Sequence, residues 1–173
     1  MRNALVVIAF KGYQDVELKG VCHGLQAAGF HITLCGKEVG LCEGKFGGRE
    51  HTRVAIRDAQ PTNFDRICFI GGPGAHELIQ DKEAHELATK FYQAGKIVGA
   101  ICIAPLILAH AGLLQGRLAT VWDSQHGQGK EAQEFISKGV KFTTQLPVVV
   151  DFPFVTGNGP NAAQEFGRVF AMV

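Results

Sequence analysis

The 173-residue chain is long enough to bury one full core and too short for two comfortable ones, and its formal net charge of +1 offers no field to attract nucleic acid or an anionic membrane. With 46% hydrophobic and 19% charged residues it has the composition of a globular protein, read as a single domain over residues 1–173, and no apolar run approaches the length of a membrane span. Five cysteines, Cys22, Cys35, Cys42, Cys68 and Cys102, are an odd number without CxxC spacing, which argues against a disulfide framework and a compact zinc module and for a reducing, cytoplasmic setting.

The opening stretch MRNALVVIAFKGYQD has one early arginine but no small-residue cleavage site, so ALVVIA (Ala4 to Ala9) reads as a first buried strand. Leu18, Val21, Cys22, Leu25 and Ala28 then recur at helical spacing and stop at Gly29. HITLCG is a second strand. Between Cys35 and Phe64 glycine and charge dominate, so a small hairpin or irregular excursion is expected there, with no chemistry assigned to it. DRICFIGG (Asp65 to Gly72) is a third buried strand ending in glycines, and a helix is expected from about His76 to Gln93, closed at Gly95. KIVGAI supplies a fourth strand, and Ile103 to Ala111 a further helix closed by Gly112. After Trp122 the polar DSQHGQGKEAQEFISKG reads as a loop entering a helix. Strand-like VKFTT, VVV and FVT follow, and GNGPNAAQEFGRVF ends in a helix with Pro160 in its first turn. Such alternation implies an α/β fold in three layers, a mostly parallel sheet with helices on both faces.

In a parallel sheet reactive groups collect at the carboxyl ends of the strands, and Cys102 falls there, after KIVGAI. Ala100 and Ala104 lie two residues to either side, the small neighbours that a sharp nucleophile elbow needs. The plain alternative is a buried cysteine filling a strand-to-helix junction. Pro105 just inside the next helix leaves the preceding N–H groups free, and the helix dipole is expected to lower the thiol pKa. The N–H of Ile103 would be one donor to a developing oxyanion. GGPGAHEL would bring a second from Gly71 or Gly72, unless it is an ordinary glycine turn. Glu17, in the first turn of the first helix, reaches the same sheet edge if the two strands are neighbours; otherwise it is a solvated glutamate favourable to the helix dipole.

Together ALVVIAFKGYQDVEL, FIGGPGAHEL, GAICIAPLILAHAGLLQGRLAT and VVVDFPFVTGNGPNAAQEFG resemble the ThiJ/PfpI superfamily, class I glutamine amidotransferase-like proteins with a flavodoxin-like sandwich, over nearly the whole chain. The resemblance implies a reactive cysteine at Cys102, a partner glutamate at Glu17 and a glycine amide beside the sulfur at Gly72. It departs from the family in its histidines. The protease-like branch has a histidine directly after the cysteine, where this chain has Ile103; a second branch has one where this chain reads Val121-Trp122-Asp123. His126 and His76 remain as surrogates for a third catalytic or pocket residue, and Trp122 is expected to line or cover the pocket. Without a histidine to move protons onto a leaving amine, a peptidase is the weaker reading.

The first expectation is a cofactor-independent glyoxalase- or deglycase-like enzyme acting on small reactive aldehydes or glycated adducts. The alternative is a non-enzymatic stress protein, a sensor or chaperone, in which Cys102 is oxidised and held as sulfinate by Glu17. No cofactor is expected, because FKGYQDVEL is not a phosphate loop and GGPG lacks the dinucleotide spacing; no metal is expected, because no ligand spacing is present. The resemblance also implies a homodimer or larger homo-oligomer.

Overall fold

A computed structural model describes all of residues 1–173. In chain order the elements begin β1 (Arg2–Val7), β2 (Lys11–Tyr13), α1 (Asp15–Ala27), β3 (Phe30–Gly36), β4 (Gly40–Gly44), β5 (Arg49–Thr52) and β6 (Val54–Ala55). They continue β7 (Arg66–Phe69), α2 (His76–Ile79), α3 (Lys82–Gln93), β8 (Ile97–Ile101), α4 (Pro105–His110) and β9 (Leu118–Ala119). The chain closes with α5 (Lys130–Ser137), β10 (Lys141–Phe142), β11 (Val148–Asp151), β12 (Phe154–Gly157) and α6 (Ala163–Met172).

Seven strands form one sheet in the order β11-β12-β8-β7-β1-β3-β6, parallel throughout except where β11 pairs antiparallel with β12. The inner strands are short continuous apolar runs because helices cover both of their faces: Ala4, Leu5, Val6 and Val7 of β1 and Ile67, Cys68 and Phe69 of β7 are fully buried. α1 and α6 share one face, and α3 and α4 pack beyond β7 and β8. The register aligns Val7 with Phe69, Phe69 with Ala100, and Ala100 with Thr156. The segments leaving β7, β8 and β12 therefore emerge level with one another at the carboxyl edge.

Several elements differ from the sequence expectation. The stretch from His76 to Gln93 is two helices, because the Asp81 side chain accepts the Ala84 N–H at 3.1 Å and restarts the chain as an N-cap. The helix expected from Ile103 begins only at Pro105 and is six residues long. VKFTT contributes two residues, pairing β10 with β9 outside the main sheet. The glycine-rich excursion is a real hairpin, β4 against β5, joined to β2 in a small three-stranded sheet. It is tied to α1, since the Asp15 carboxylate accepts the N–H groups of Phe46 and Gly48, each at 2.8 Å.

Candidate active site

Cys102 follows β8 at φ +65°, a left-handed conformation that a residue with a Cβ adopts only under constraint. Two backbone hydrogen bonds supply it: the Cys102 N–H donates to Gly157 O at 2.9 Å, and its carbonyl accepts the Trp122 N–H at 2.8 Å. The elbow is thus clamped from β12 on one side and from the β9 exit on the other. The thiol is 8% exposed.

The turn after β7 lies against it. A Cβ on Gly71 would fall 2.5 Å from Cys102 Cβ and 2.8 Å from Glu17 Oε2, so only glycine fits between the two side chains. Gly72, at φ +103°, passes equally close to the backbone of β2, where a Cβ would meet Gly12 O at 2.5 Å. The Gly72 and Ile103 N–H groups favour negative charge on the Cys102 sulfur. Of the two glycines left open by the sequence, Gly72 therefore faces sulfur, while the Gly71 N–H donates to Glu17 Oε2 at 2.9 Å.

Glu17, the third residue of α1, has no exposed surface. β7 separates β1 from β8 in the sheet, yet the carboxyl group still comes close enough to act on the sulfur, because the start of α1 is drawn over the glycine turn. The Gln14 N–H donates to Gly71 O at 2.9 Å, and the Gln14 side chain caps α1 by accepting the Val16 N–H at 3.1 Å. Glu17 Oε1 is buried with no hydrogen-bond partner.

Burial raises Glu17 to about 7, against the opposing pull of its hydrogen bond with Cys102, the Gly71 N–H and the positive charge of Lys45. Burial first, and then the negative charge of Glu17, push the Cys102 thiol far above the ordinary cysteine range, opposed by the two N–H donors. The helix-dipole activation expected from sequence is therefore overridden: the helix starts two residues late, and the thiol is desolvated beside a carboxyl group. The two groups titrate as one unit that gives up its first proton near 7 and retains the second.

The other candidates sit farther out. His76 is exposed at the start of α2 and His126 is exposed in the loop after β9. Neither acts on the Glu17 carboxyl or on the sulfur. Trp122 is 38% exposed and, with His126, lines a cleft of about 550 Å³ at the exits of β9 and β12. A larger groove of about 1040 Å³ runs along α1 past Lys19, Cys22 and His23 and holds neither Cys102 nor Glu17. No group of three or more His, Cys, Asp or Glu side chains is arranged to hold a metal ion, and no helix is long and apolar enough to cross a membrane.

Sequence reasoning missed three participants. Asp123 accepts N–H groups from Gln125, Gly127, Gly129 and Ala132, at 3.2, 2.6, 3.0 and 3.2 Å, and so folds the loop that carries His126; alternating glycines in DSQHGQG were the available signal. Lys45, at the hairpin tip, is the positive charge acting on Glu17, and nothing in the sequence links the two. Thr120 is 1% exposed and its hydroxyl has no partner, which no local pattern announces.

The sequence matches the family model described as the DJ-1/PfpI family over residues 2–172. Among curated proteins it is 33% identical over 170 residues to an uncharacterized protein of Methanocaldococcus jannaschii, covering 96% of this chain and 80% of that one. It is 28% identical over 166 residues to the deglycase PfpI of Pyrococcus furiosus, covering 96% of each, and 23% identical over 165 residues to a glutathione-independent glyoxalase of Caenorhabditis elegans, covering 95% and 84%. Among solved structures, a ThiJ/PfpI domain protein from Brachyspira murdochii superposes with a TM-score of 0.93 at 25% identity, over 99% of this chain and 95% of that one.

Proposed function

The chain belongs to the DJ-1/PfpI family, and from that premise we propose that it is a cofactor-independent enzyme of glyoxalase or deglycase type, with Cys102 as nucleophile and Glu17 as proton shuttle. The observation that carries this reading is the burial of Glu17 and Cys102 against each other across Gly71, whose added Cβ would fall 2.8 Å from Glu17 Oε2 and 2.5 Å from Cys102 Cβ. One proton shared by that pair gives two arrangements: carboxylate with thiol, or carboxylic acid with thiolate. The second is the reactive one, because two amides meet the charge on sulfur and the acid is already in place to donate.

For a 2-oxoaldehyde the thiolate adds to the aldehyde carbon, and the Glu17 proton goes to the new oxyanion, giving a hemithioacetal. Glu17, now a carboxylate, removes the hydrogen from that carbon, and the neighbouring ketone carbon is reprotonated. The aldehyde carbon is thereby oxidised to a thioester while the ketone is reduced to an alcohol. Water cleaves the thioester, releasing a 2-hydroxy acid and restoring the thiol. Glu17 is 0% exposed, so its proton is protected from solvent through these steps. The names of the deglycase and glyoxalase relatives support the same chemical class.

Purified protein is expected to turn over methylglyoxal. Cys102→Ser should abolish the activity, and Glu17→Gln should lower kcat by on the order of a hundredfold or more with the fold retained. A second reading has its own support in the unpartnered Glu17 Oε1: when protonated it would donate a hydrogen bond to a sulfinate formed on Cys102, as an oxidation sensor requires. Stoichiometric oxidation of Cys102 without any turnover would overturn the enzyme and favour the sensor.

A further inference from the structure

We propose that Asp15 is a positioning residue for Glu17: its carboxylate latches the tip of the β4–β5 hairpin onto the start of α1, and the latch fixes where the buried acid and the Lys45 side chain stand relative to each other. The inference rests on the proposed pairing of Glu17 with Cys102.

Glu17 is the third residue of α1, and the segment just before it is held from two sides. On the inner side the Gln14 N–H donates to Gly71 O at 2.9 Å, in the turn beside Cys102. On the outer side three hairpin amides converge. The Lys45 N–H donates to Tyr13 O at 2.8 Å, and the Phe46 and Gly48 N–H groups donate to separate oxygens of Asp15, each at 2.8 Å. A carboxylate held at both oxygens by amides is fixed in position as well as stabilised. The fit leaves no spare room: a Cβ on Gly44 or on Gly48 would overlap the Asp15 carboxylate.

The plain alternative is an acid placed in the first helical turn because the helix dipole favours it there. Such a residue needs no partner beyond its own helix, whereas both oxygens of Asp15 are committed to a segment 31 and 33 residues further along the chain. Asp15 forms no ion pair in the structure. The tip that it holds carries Lys45, whose positive charge acts on Glu17 and favours the carboxylate. The other ionisable groups facing Glu17 are thiols, Cys102 after β8 and Cys68 on β7, and Asp15 itself faces the Tyr13 phenol. Lys45 is the cation among them, and its backbone is anchored two residues before Asp15.

Alkylation of Cys102 across pH reads the effect, since the wild-type rate is expected to step near pH 7 as the pair loses its first proton. Lys45→Met should move that step upward by roughly 0.5 pH unit, and Lys45→Arg should leave it in place. Asp15→Asn loses one of the two acceptors, and Gly48→Ala forces the tip away from an intact carboxylate. Both should also move the step upward, and both should lower kcat for methylglyoxal by on the order of tenfold with KM little changed. Loss of the Asp15 charge acting through space would move the step the opposite way, so a downward shift in Asp15→Asn overturns the latch. A step at the wild-type position in folded Asp15→Asn and Gly48→Ala, with only Tm lowered, overturns it too, as does an unmoved step in Lys45→Met. A wild type without any step removes the Glu17–Cys102 pair and the positioning role with it. A wild-type step that no variant moves removes the positioning role alone.

Discussion

Cys102 combines low exposure with a shared proton, and the other thiols have one feature or neither. Cys35, Cys42 and Cys68 are at most 1% exposed, and Cys22, half-buried on α1, is pushed up to about 11 by burial. The Cys102–Glu17 pair loses its first proton near 7. Brief, limiting iodoacetamide treatment at neutral pH should therefore label Cys102 first, as peptide mass mapping would report. The wild-type alkylation rate should rise through a step near pH 7. Glu17→Gln should lose that step, because the amide has no proton to give up in that range. First labelling at Cys22, or superimposable profiles from two folded proteins, would mean that the carboxyl group does not act on the sulfur.

α1 carries Glu17, and its position depends on how closely it can lie on α6. Gly20 and Gly24 of α1 face Ala163 and Gly167 of α6 with no room for side chains: a Cβ on Gly24 would overlap the Gly167 carbonyl group, and one on Gly20 would lie 2.7 Å from the Ala163 carbonyl carbon. Gly24→Ala should therefore destabilise the fold by about 1–3 kcal/mol, despite alanine's better helix propensity, because the two backbones must separate. A thermal melt and a methylglyoxal assay on the same sample would test it. An unchanged or raised Tm would show that α1 and α6 can move apart without cost. These glycines lay in the recognised helices, but the sequence shows a glycine in a helix only as a weak helix former. Which helix it approaches is a fact of packing.

At the scale of the whole molecule, Glu17 couples the site to stability. Its pKa rises from an ordinary 4.5 to about 7 on folding, so between those values the native state binds more protons than the unfolded chain. Its contribution is most favourable below pH 4.5 and is lost as pH rises through 7, a difference of about 3 kcal/mol as an order of magnitude. Glu17→Gln carries no ionisable group there. Its stability relative to wild type should increase from pH 5 to pH 8 in denaturant titrations, so that the site is held at a cost to stability that grows as the pair ionises. A difference independent of pH would mean that Glu17 titrates alike in the folded and unfolded chain.

The α/β layering is legible in the chain alone, since continuous apolar runs such as ALVV and RICF form strands covered on both faces wherever they meet. It also located Cys102 at a strand end and Glu17 at a helix start, because strand-to-helix boundaries are written in local periodicity and in glycine and proline. The assembly of the site depends on contacts between distant segments. The order β8-β7-β1 and the level register of Phe69 and Ala100 bring Gly71, Cys102 and Glu17 together, and the backbone bond from Gln14 to Gly71 draws the carboxyl group across an intervening strand. The direction of the thiol's pKa was likewise beyond local reading: an exposed thiol before a helix would be acidified, whereas this one is desolvated beside a buried acid. Pairwise distance and burial set electrostatic energy, and both belong to the folded chain rather than to any stretch of its sequence.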